Sequence, residues 1–260
     1  FKYVTALDRL THPLVRNAEG ELVQASWPEA LAAAAAGLKG KRAAVLTGGR
    51  VTTEDAYGYS KFARIALGTN DIDYRARVTS DEECDFLAAH VAGSSTTYRD
   101  IDTADHVALV AFEPEEESPI VFLRLNKNFK KRGLKVSAVA TKGSIAMDKL
   151  KADFIKVAPG AESAAVAGLA LTAKSVILVG ERASESAGLF TSVAALAAKT
   201  GAKVAYIPRR AGERSALEAG ALGNLLPGGR PVVDAAARVD IAAAWGVSSL
   251  PTEPGRTTSE

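Results

Sequence analysis

The chain has 260 residues, with 32 Lys or Arg against 30 Asp or Glu, 47% hydrophobic and 24% charged residues. That length can bury a core in one or two domains without disulfides or metals, and the composition speaks against a disordered or fibrous chain. The charges are spread without a block of like sign long enough to serve as a nucleic-acid arm, and no apolar run approaches the ~18 residues of a membrane span.

Residues 1–25 hold short extended stretches at Tyr3-Val4-Thr5 and Leu22-Val23-Gln24, separated by the turn signal Asn17-Ala18-Glu19-Gly20, and read as a β-hairpin lead-in. Ser26-Trp27-Pro28-Glu29 has the spacing of a capping box with an early proline, so Ser26 should start a helix that runs through the alanines to Leu38. The run Ala43 to Thr47 reads as a strand, followed by a helix that opens at Thr52 or Thr53 and ends before Gly68. Ser80 with Glu83 three residues on caps another helix, which should stop at Gly93.

Apolar runs then alternate with helical segments. Val107–Phe112 reads as a buried strand, Ser118-Pro119 opens a helix closed by Gly133, and further strands lie at Val136–Ala140 and Phe154–Val157. Strands at 175–180 and 203–207 bracket a helix ending near Gly201, the strand–helix–strand rhythm of a parallel sheet. Glycines at 212, 220, 223, 228 and 229 predict a loop-rich stretch around a short helix from Arg209 to Pro231, then a final helix over Val233–Trp245. The Pro-, Thr- and Ser-rich tail from Ser248 to Glu260 reads as a frayed end or linker. The fold class is α/β.

The residues offer little chemistry of their own. Cys84 is the only cysteine, so no intramolecular disulfide can form and no iron–sulfur cluster needing several thiolates can be held by this chain alone. His12, His90 and His106 lie far apart without partners at metal-ligand spacing. Gly48-Gly49-Arg50, between a strand and a helix, is where backbone N–H groups can meet a phosphate, but the full glycine spacing of a nucleotide loop is missing and a plain βα turn is the preferred reading. The four carboxylates of Glu113, Glu115, Glu116 and Glu117 precede a helix N-terminus, where negative charge complements the helix dipole; a hydrolytic carboxylate pair is the sharper and less economical alternative.

Three strings carry a family resemblance: Ser26-Trp27-Pro28-Glu29-Ala30-Leu31, Lys61-Phe62-Ala63-Arg64, and Leu67-Gly68-Thr69-Asn70-Asp71-Ile72-Asp73. They resemble the opening of the molybdopterin oxidoreductase superfamily, and Asp8 to Arg16 looks like the segment that comes after that superfamily's N-terminal cluster-binding cysteines. Within the superfamily, Phe112 to Arg124 and Pro208 to Arg214 resemble the actinobacterial type of the G subunit of respiratory complex I, NADH-quinone oxidoreductase.

The resemblance implies a fragment of parallel-sheet lobes with a short β lead-in: a lead-in and linker at 1–34, one α/β lobe from 35–100 with 172–260, and an inserted α/β lobe at 101–171. It also implies a degenerate dinucleotide pocket. The position of the metal ligand in active members holds Thr79, and their Gly-Ser-Asn-Pro and Asp-Pro-Arg turns align with Ala111-Phe112-Glu113-Pro114 and Ala140-Thr141-Lys142, so Phe112 is expected to add bulk and Glu113 negative charge there.

The function implied by the resemblance is that of a scaffold region with no catalytic or metal-binding residue of its own. The resemblance places the 4Fe–4S and 2Fe–2S clusters in the full-length subunit outside these residues, and the start at Phe1 without a methionine makes the chain look like a piece of a longer one. Its partners would be other subunits of the peripheral arm, with no nucleic acid and no direct membrane insertion, and its place the cytoplasmic face of the plasma membrane. The alternatives are an active molybdopterin-dependent subunit of the formate dehydrogenase or nitrate reductase kind, and an unrelated nucleotide-binding domain using Gly48 and Gly49.

Overall fold

A computed structural model describes residues 2–257, which form two compact units, one up to Ala43 and one from Ala44 onward. In the first, a 3₁₀ turn at Lys2–Thr5 precedes the hairpin of β1 (Leu14–Arg16) and β2 (Leu22–Gln24), antiparallel with Val15 opposite Val23. Asn17 closes the hairpin: its Oδ1 accepts from the N–H groups of Glu19 and Glu21, and Gly20 takes the left-handed conformation the turn needs. Helix α1 (Trp27–Leu38) begins as its sequence predicts. Glu29 N–H donates to Ser26 Oγ, and Ser26 N–H donates to Glu29 Oε2 at 2.8 Å.

The second unit opens with β3 (Val45–Leu46), α2 (Thr53–Ile65) and β4 (Ile72–Asp73), β3 and β4 pairing in parallel. Helix α3 (Asp81–Phe86) starts at the Ser80 cap and runs into a single π turn at Leu87–Val91 that Gly93 ends. After the short α4 (Tyr98–Thr103) come β5 (His106–Val110), α5 (Pro114–Glu117), α6 (Pro119–Arg132), β6 (Lys135–Ala140), α7 (Ile145–Lys149), β7 (Asp153–Lys156) and α8 (Glu162–Ala167). The chain continues through β8 (Val176–Gly180), α9 (Leu189–Thr200), β9 (Lys203–Ile207), α10 (Glu213–Glu218), β10 (Leu225–Leu226), β11 (Arg230–Pro231) and α11 (Ala235–Trp245).

Five strands make one parallel sheet in the order β7-β6-β5-β8-β9. All five residues of β5 and of β8 are buried, the continuous apolar reading of strands covered on both faces. Alternate residues divide between two cores. Ala108, Val110, Ile177 and Val179 pack with α3, α9 and α10, while Val107, Leu109, Val176 and Leu178 pack with Val121, Phe122 and Leu125 of α6 and Ala146, Met147 and Leu150 around α7. Because β5 pairs directly with β8, this sheet runs across the lobe boundary expected at 171. Nearest neighbours in a doubly wound sheet need not be consecutive in sequence, which a linear reading of strands does not reveal.

The elements that the pattern misses are the short ones: α4, α5, α7 and α8 have six residues or fewer, too short for a periodicity to register. The strand expected over Val107–Phe112 stops at Val110, because Ala111 turns into positive φ. The tail is not frayed up to Thr257. Asn70 Nδ2 donates to the carbonyls of Pro251 and Glu253, Gly255 N–H donates to Gly223 O, and Arg256 pairs with Asp71. Phe1 and residues 258–260, the outer ends of the expected lead-in and tail, lie outside the described residues.

Candidate functional site

In a sheet of this order the chain leaves β5 toward β6 on one side and returns to β8 on the other, and the crevice beyond the C-terminal ends at such a switch point is where ligands usually bind. Here the two loops touch. A Cβ on Gly180 would lie 2.4 Å from Ala111 O, so glycine is required for the loop after β8 to pass the loop after β5. Ala111 has φ of 48°, a conformation natural to glycine, at the position that aligns with the glycine of the Gly-Ser-Asn-Pro turn.

Beside this contact lies a cleft of about 690 Å³ over the ends of β5 and β6. Glu113, Ala140, Thr141 and Lys142 line it together, with Ser144, Lys149 and Arg182. Thr79, Phe112 and Pro114 do not. Thr79 is buried just ahead of the Ser80 cap, and Pro114 is buried in the first turn of α5. Phe112 is 1% exposed within the core under α6, so its bulk stabilises that core and does not obstruct the cleft as its alignment suggests.

Glu113 is the side chain that occupies the strategic position. Its Oε2 accepts from Glu116 N–H at 2.6 Å, capping α5, and its Oε1 accepts from Ser144 Oγ at 2.7 Å. The Ser144 hydroxyl in turn caps α7 by accepting from Met147 N–H. Two of the three cations in the lining are engaged, Lys149 with Glu115 and Arg182 with Glu117, both at 2.6 Å, while the exposed Lys142 makes no ion pair among the described residues. A pyrophosphate needs free N–H donors and positive charge, whereas this cleft presents carboxylates and lends its helix-start N–H groups to its own side chains.

Away from the cleft lining runs a largely buried chain of alternating charges that the sequence pattern does not reveal. Arg75 makes a bidentate contact with Asp73 and an ion contact with Glu83 at 3.0 Å. Glu83 is 0% exposed and also accepts from Arg77, which donates to Glu181 at 2.7 Å. Arg210 lies between Glu181 and Glu213. Burial works against the Arg75 charge, but the Asp73 hydrogen bonds and the charges of Asp73 and Glu83 outweigh it and hold the guanidinium protonated. Burial likewise opposes ionisation of Glu181, and Arg77 with Arg210 and Arg209 overcomes it, lowering its pKa. The alternation Asp73-x-Arg75-x-Arg77 after a strand was the available signal, but the partners Glu181 and Glu213 lie over a hundred residues on.

Arg64 is also buried, yet all its partners are neutral: Asn70 Oδ1, Ser60 Oγ and the carbonyls of Gly220, Leu222 and Leu225. Burial pushes its pKa down to about 10. It acts as a clamp holding 220–225 against α2. Cys84 accepts a contact from Arg75 Nη2 at 3.1 Å, and burial pushes its thiol pKa up, the state of an inert cysteine. The Gly48-Gly49 turn has a packing explanation. A Cβ on Gly49 would meet Glu213 Cγ at 2.6 Å, and Gly212 N–H donates to Gly49 O, so the turn is covered by the 209–213 loop and faces a carboxylate. Among the described residues no group of three or more His, Cys, Asp or Glu could hold a metal ion, and no helix is long and apolar enough to cross a membrane.

Residues 9–234 match the molybdopterin oxidoreductase family. The chain belongs to that family. It is similar to the G subunit of NADH-quinone oxidoreductase from Streptomyces coelicolor, 51% identical over 100% of this chain and 35% of that protein. It is also 50% identical to the protein of the same name from Mycobacterium bovis, over 98% of this chain and 34% of the relative. The F420-dependent formate dehydrogenase subunit alpha of Methanocaldococcus jannaschii is 28% identical over 64% of this chain and 25% of its own length. The chain thus spans about a third of the length of these two G-subunit relatives, and its likeness to them is both stronger and more extensive than its likeness to this formate dehydrogenase.

Proposed function

We propose that this chain is a scaffold region of the G subunit of an NADH-quinone oxidoreductase, supporting electron transfer from NADH to quinone through iron–sulfur clusters held outside these residues. The observation that carries the reading is Glu113, a carboxylate fixed by Ser144 and Glu116 N–H where the family's dinucleotide phosphates would lie. At 4 Å and an effective dielectric of ~20, each phosphate charge set against that carboxylate costs on the order of 4 kcal/mol. Half-identity to two G-subunit proteins along the whole chain supports the same assignment. A single buried cysteine leaves the 4Fe–4S and 2Fe–2S clusters to other parts of the subunit. The expected dinucleotide site is then vestigial, with Glu113, Ala140, Thr141 and Lys142 lining the cleft and Thr79, Phe112 and Pro114 buried away from it, and the chain's work is to dock and stabilise within a peripheral arm at the cytoplasmic face of the plasma membrane.

The test is purification of the protein from its source cells under mild detergent. Co-migration of this chain with NADH:quinone reductase activity is expected. Co-migration with formate- or nitrate-dependent activity would replace the reading with the active-enzyme alternative.

A further inference from the structure

The chain as a whole is almost neutral, but its charge is unevenly placed in the fold. Residues 119–156 hold ten Lys or Arg and only two acidic residues, Asp148 and Asp153, so the remaining 222 residues carry 22 basic and 28 acidic side chains. This segment is α6, β6, α7 and β7, the layer and sheet edge on one flank of the five-stranded sheet. Among the described residues Lys127, Lys130, Lys131, Lys135 and Lys151 are exposed and form no ion pair. Because α6 runs antiparallel to the strands it connects, its last turns bring Lys127, Lys130 and Lys131 beside Lys135 at the start of β6, and Lys151 lies just ahead of β7 at the same end.

The outer face of α6 is not only basic. Ile120 and Leu123 precede Lys127 and Lys130 on the same solvent-facing ridge, and they are 55% and 58% exposed. Ile145, at the start of the adjacent α7, is 69% exposed. Lys149 over the Phe122 ring, 5.5 Å from its centroid, joins the two helices on this side. The layer therefore offers three aliphatic side chains flanked by a cluster of unpaired lysines.

We propose that this α6–α7 face docks an acidic protein surface, with Ile120, Leu123 and Ile145 meeting apolar side chains and the lysines meeting carboxylates around them. The inference rests on the reading of the chain as a subunit of a larger enzyme, and it names the face and the partner's chemistry. Fully buried interface centres are apolar and charges sit at the rim, where they steer association and set specificity. A protein partner fits better than a membrane or a nucleic acid. The layer exposes no aromatic side chain to anchor at a bilayer surface or to stack on bases, and its apolar residues are fixed on helices whose other faces are locked in the core.

The experiment is amine acetylation and zero-length carbodiimide coupling on the assembled enzyme purified at low salt, read by mass spectrometry. Lys127, Lys130 and Lys131 are expected to acetylate several-fold more slowly than the exposed Lys174 and Lys199, and to couple to Asp or Glu of a neighbouring subunit. The variant K127E/K130E/K131E is expected to keep its own denaturation midpoint and to be incorporated less, the deficit shrinking as salt rises. Acetylation of the three lysines as fast as Lys174 and Lys199 would overturn the proposal, and so would sedimentation of the chain with phosphatidylglycerol vesicles that the charge reversal abolishes. A chain present in the enzyme with open lysines removes only the docking face. A chain absent from any multisubunit enzyme removes the subunit reading as well.

Discussion

Ser144 Oγ donates to Glu113 Oε1 at 2.7 Å and so ties the turn after β6 to the turn after β5. One hydroxyl caps α7 and clamps the carboxylate that caps α5, which makes the mouth of the family's ligand crevice a self-satisfied hydrogen-bond network. Replacing Ser144 with Ala should cost about 1–2 kcal/mol, the sum of a lost cap and a lost hydrogen bond to a charged group. In a double-mutant cycle with Glu113→Gln, equilibrium denaturation should show a coupling of about 1 kcal/mol. Strict additivity would mean the contact carries no energy.

The buried charge chain makes a sharper prediction. Glu83 is fully buried and meets both Arg75 and Arg77, so Glu83→Gln leaves two guanidiniums short of a counter-charge and should destabilise by about 3–5 kcal/mol. Arg214 and Glu218 form a half-exposed i,i+4 pair, and Arg214→Ala should stay within about 1 kcal/mol of the parent. Urea midpoints of the two variants give the comparison, and equal losses would contradict a structural role for the network.

Acid should weaken one contact in a defined window. The hydrogen bond from Lys203, and then the Thr97 N–H, hold the Asp100 carboxyl at about 2, below its ordinary 3.8. A depressed folded-state value stabilises the fold above the unfolded pKa, and that contribution is lost as pH falls through about 2. Since Lys203 is half-exposed, solvent screening reduces its worth to under about 1 kcal/mol. Asparagine at position 100 keeps the capping geometry and removes the charge, so the stability gap between Asp100→Asn and the parent should be constant above about pH 4.5 and close toward about pH 2. A gap that persists unchanged in acid would assign the effect to geometry alone.

Much of this fold was legible because its signals are local. The Ser26 capping box, the Ser80 N-cap, the αL glycines at 133, 201 and 246, and the apolar runs of β5, β6 and β8 each fix an element from its own residues. What stayed hidden depends on three-dimensional neighbours. The pairing of β5 with β8, the meeting of Arg77 with Glu181, and the gathering of scattered lysines onto the α6–α7 face are set by topology, which has no local signature. The candidate site was half legible. Glu113, Ala140, Thr141 and Lys142 do share a cleft, but Phe112 faces the core, because a residue in the turn beyond a buried strand can be claimed by either side of that turn.

If the chain's own side chains close the crevice to a pterin dinucleotide, as proposed, metal and nucleotide analysis of the purified, assembled protein shows it most directly. Molybdenum and tungsten should be absent at stoichiometric level by elemental mass spectrometry, and acid hydrolysis should release no stoichiometric GMP. In titration calorimetry the isolated chain should show no heat of binding with GMP, whose phosphate would face Glu113. Equimolar molybdenum or tungsten with equimolar GMP, or micromolar GMP binding that Glu113→Gln strengthens, would contradict the account and make the chain part of an active molybdopterin enzyme.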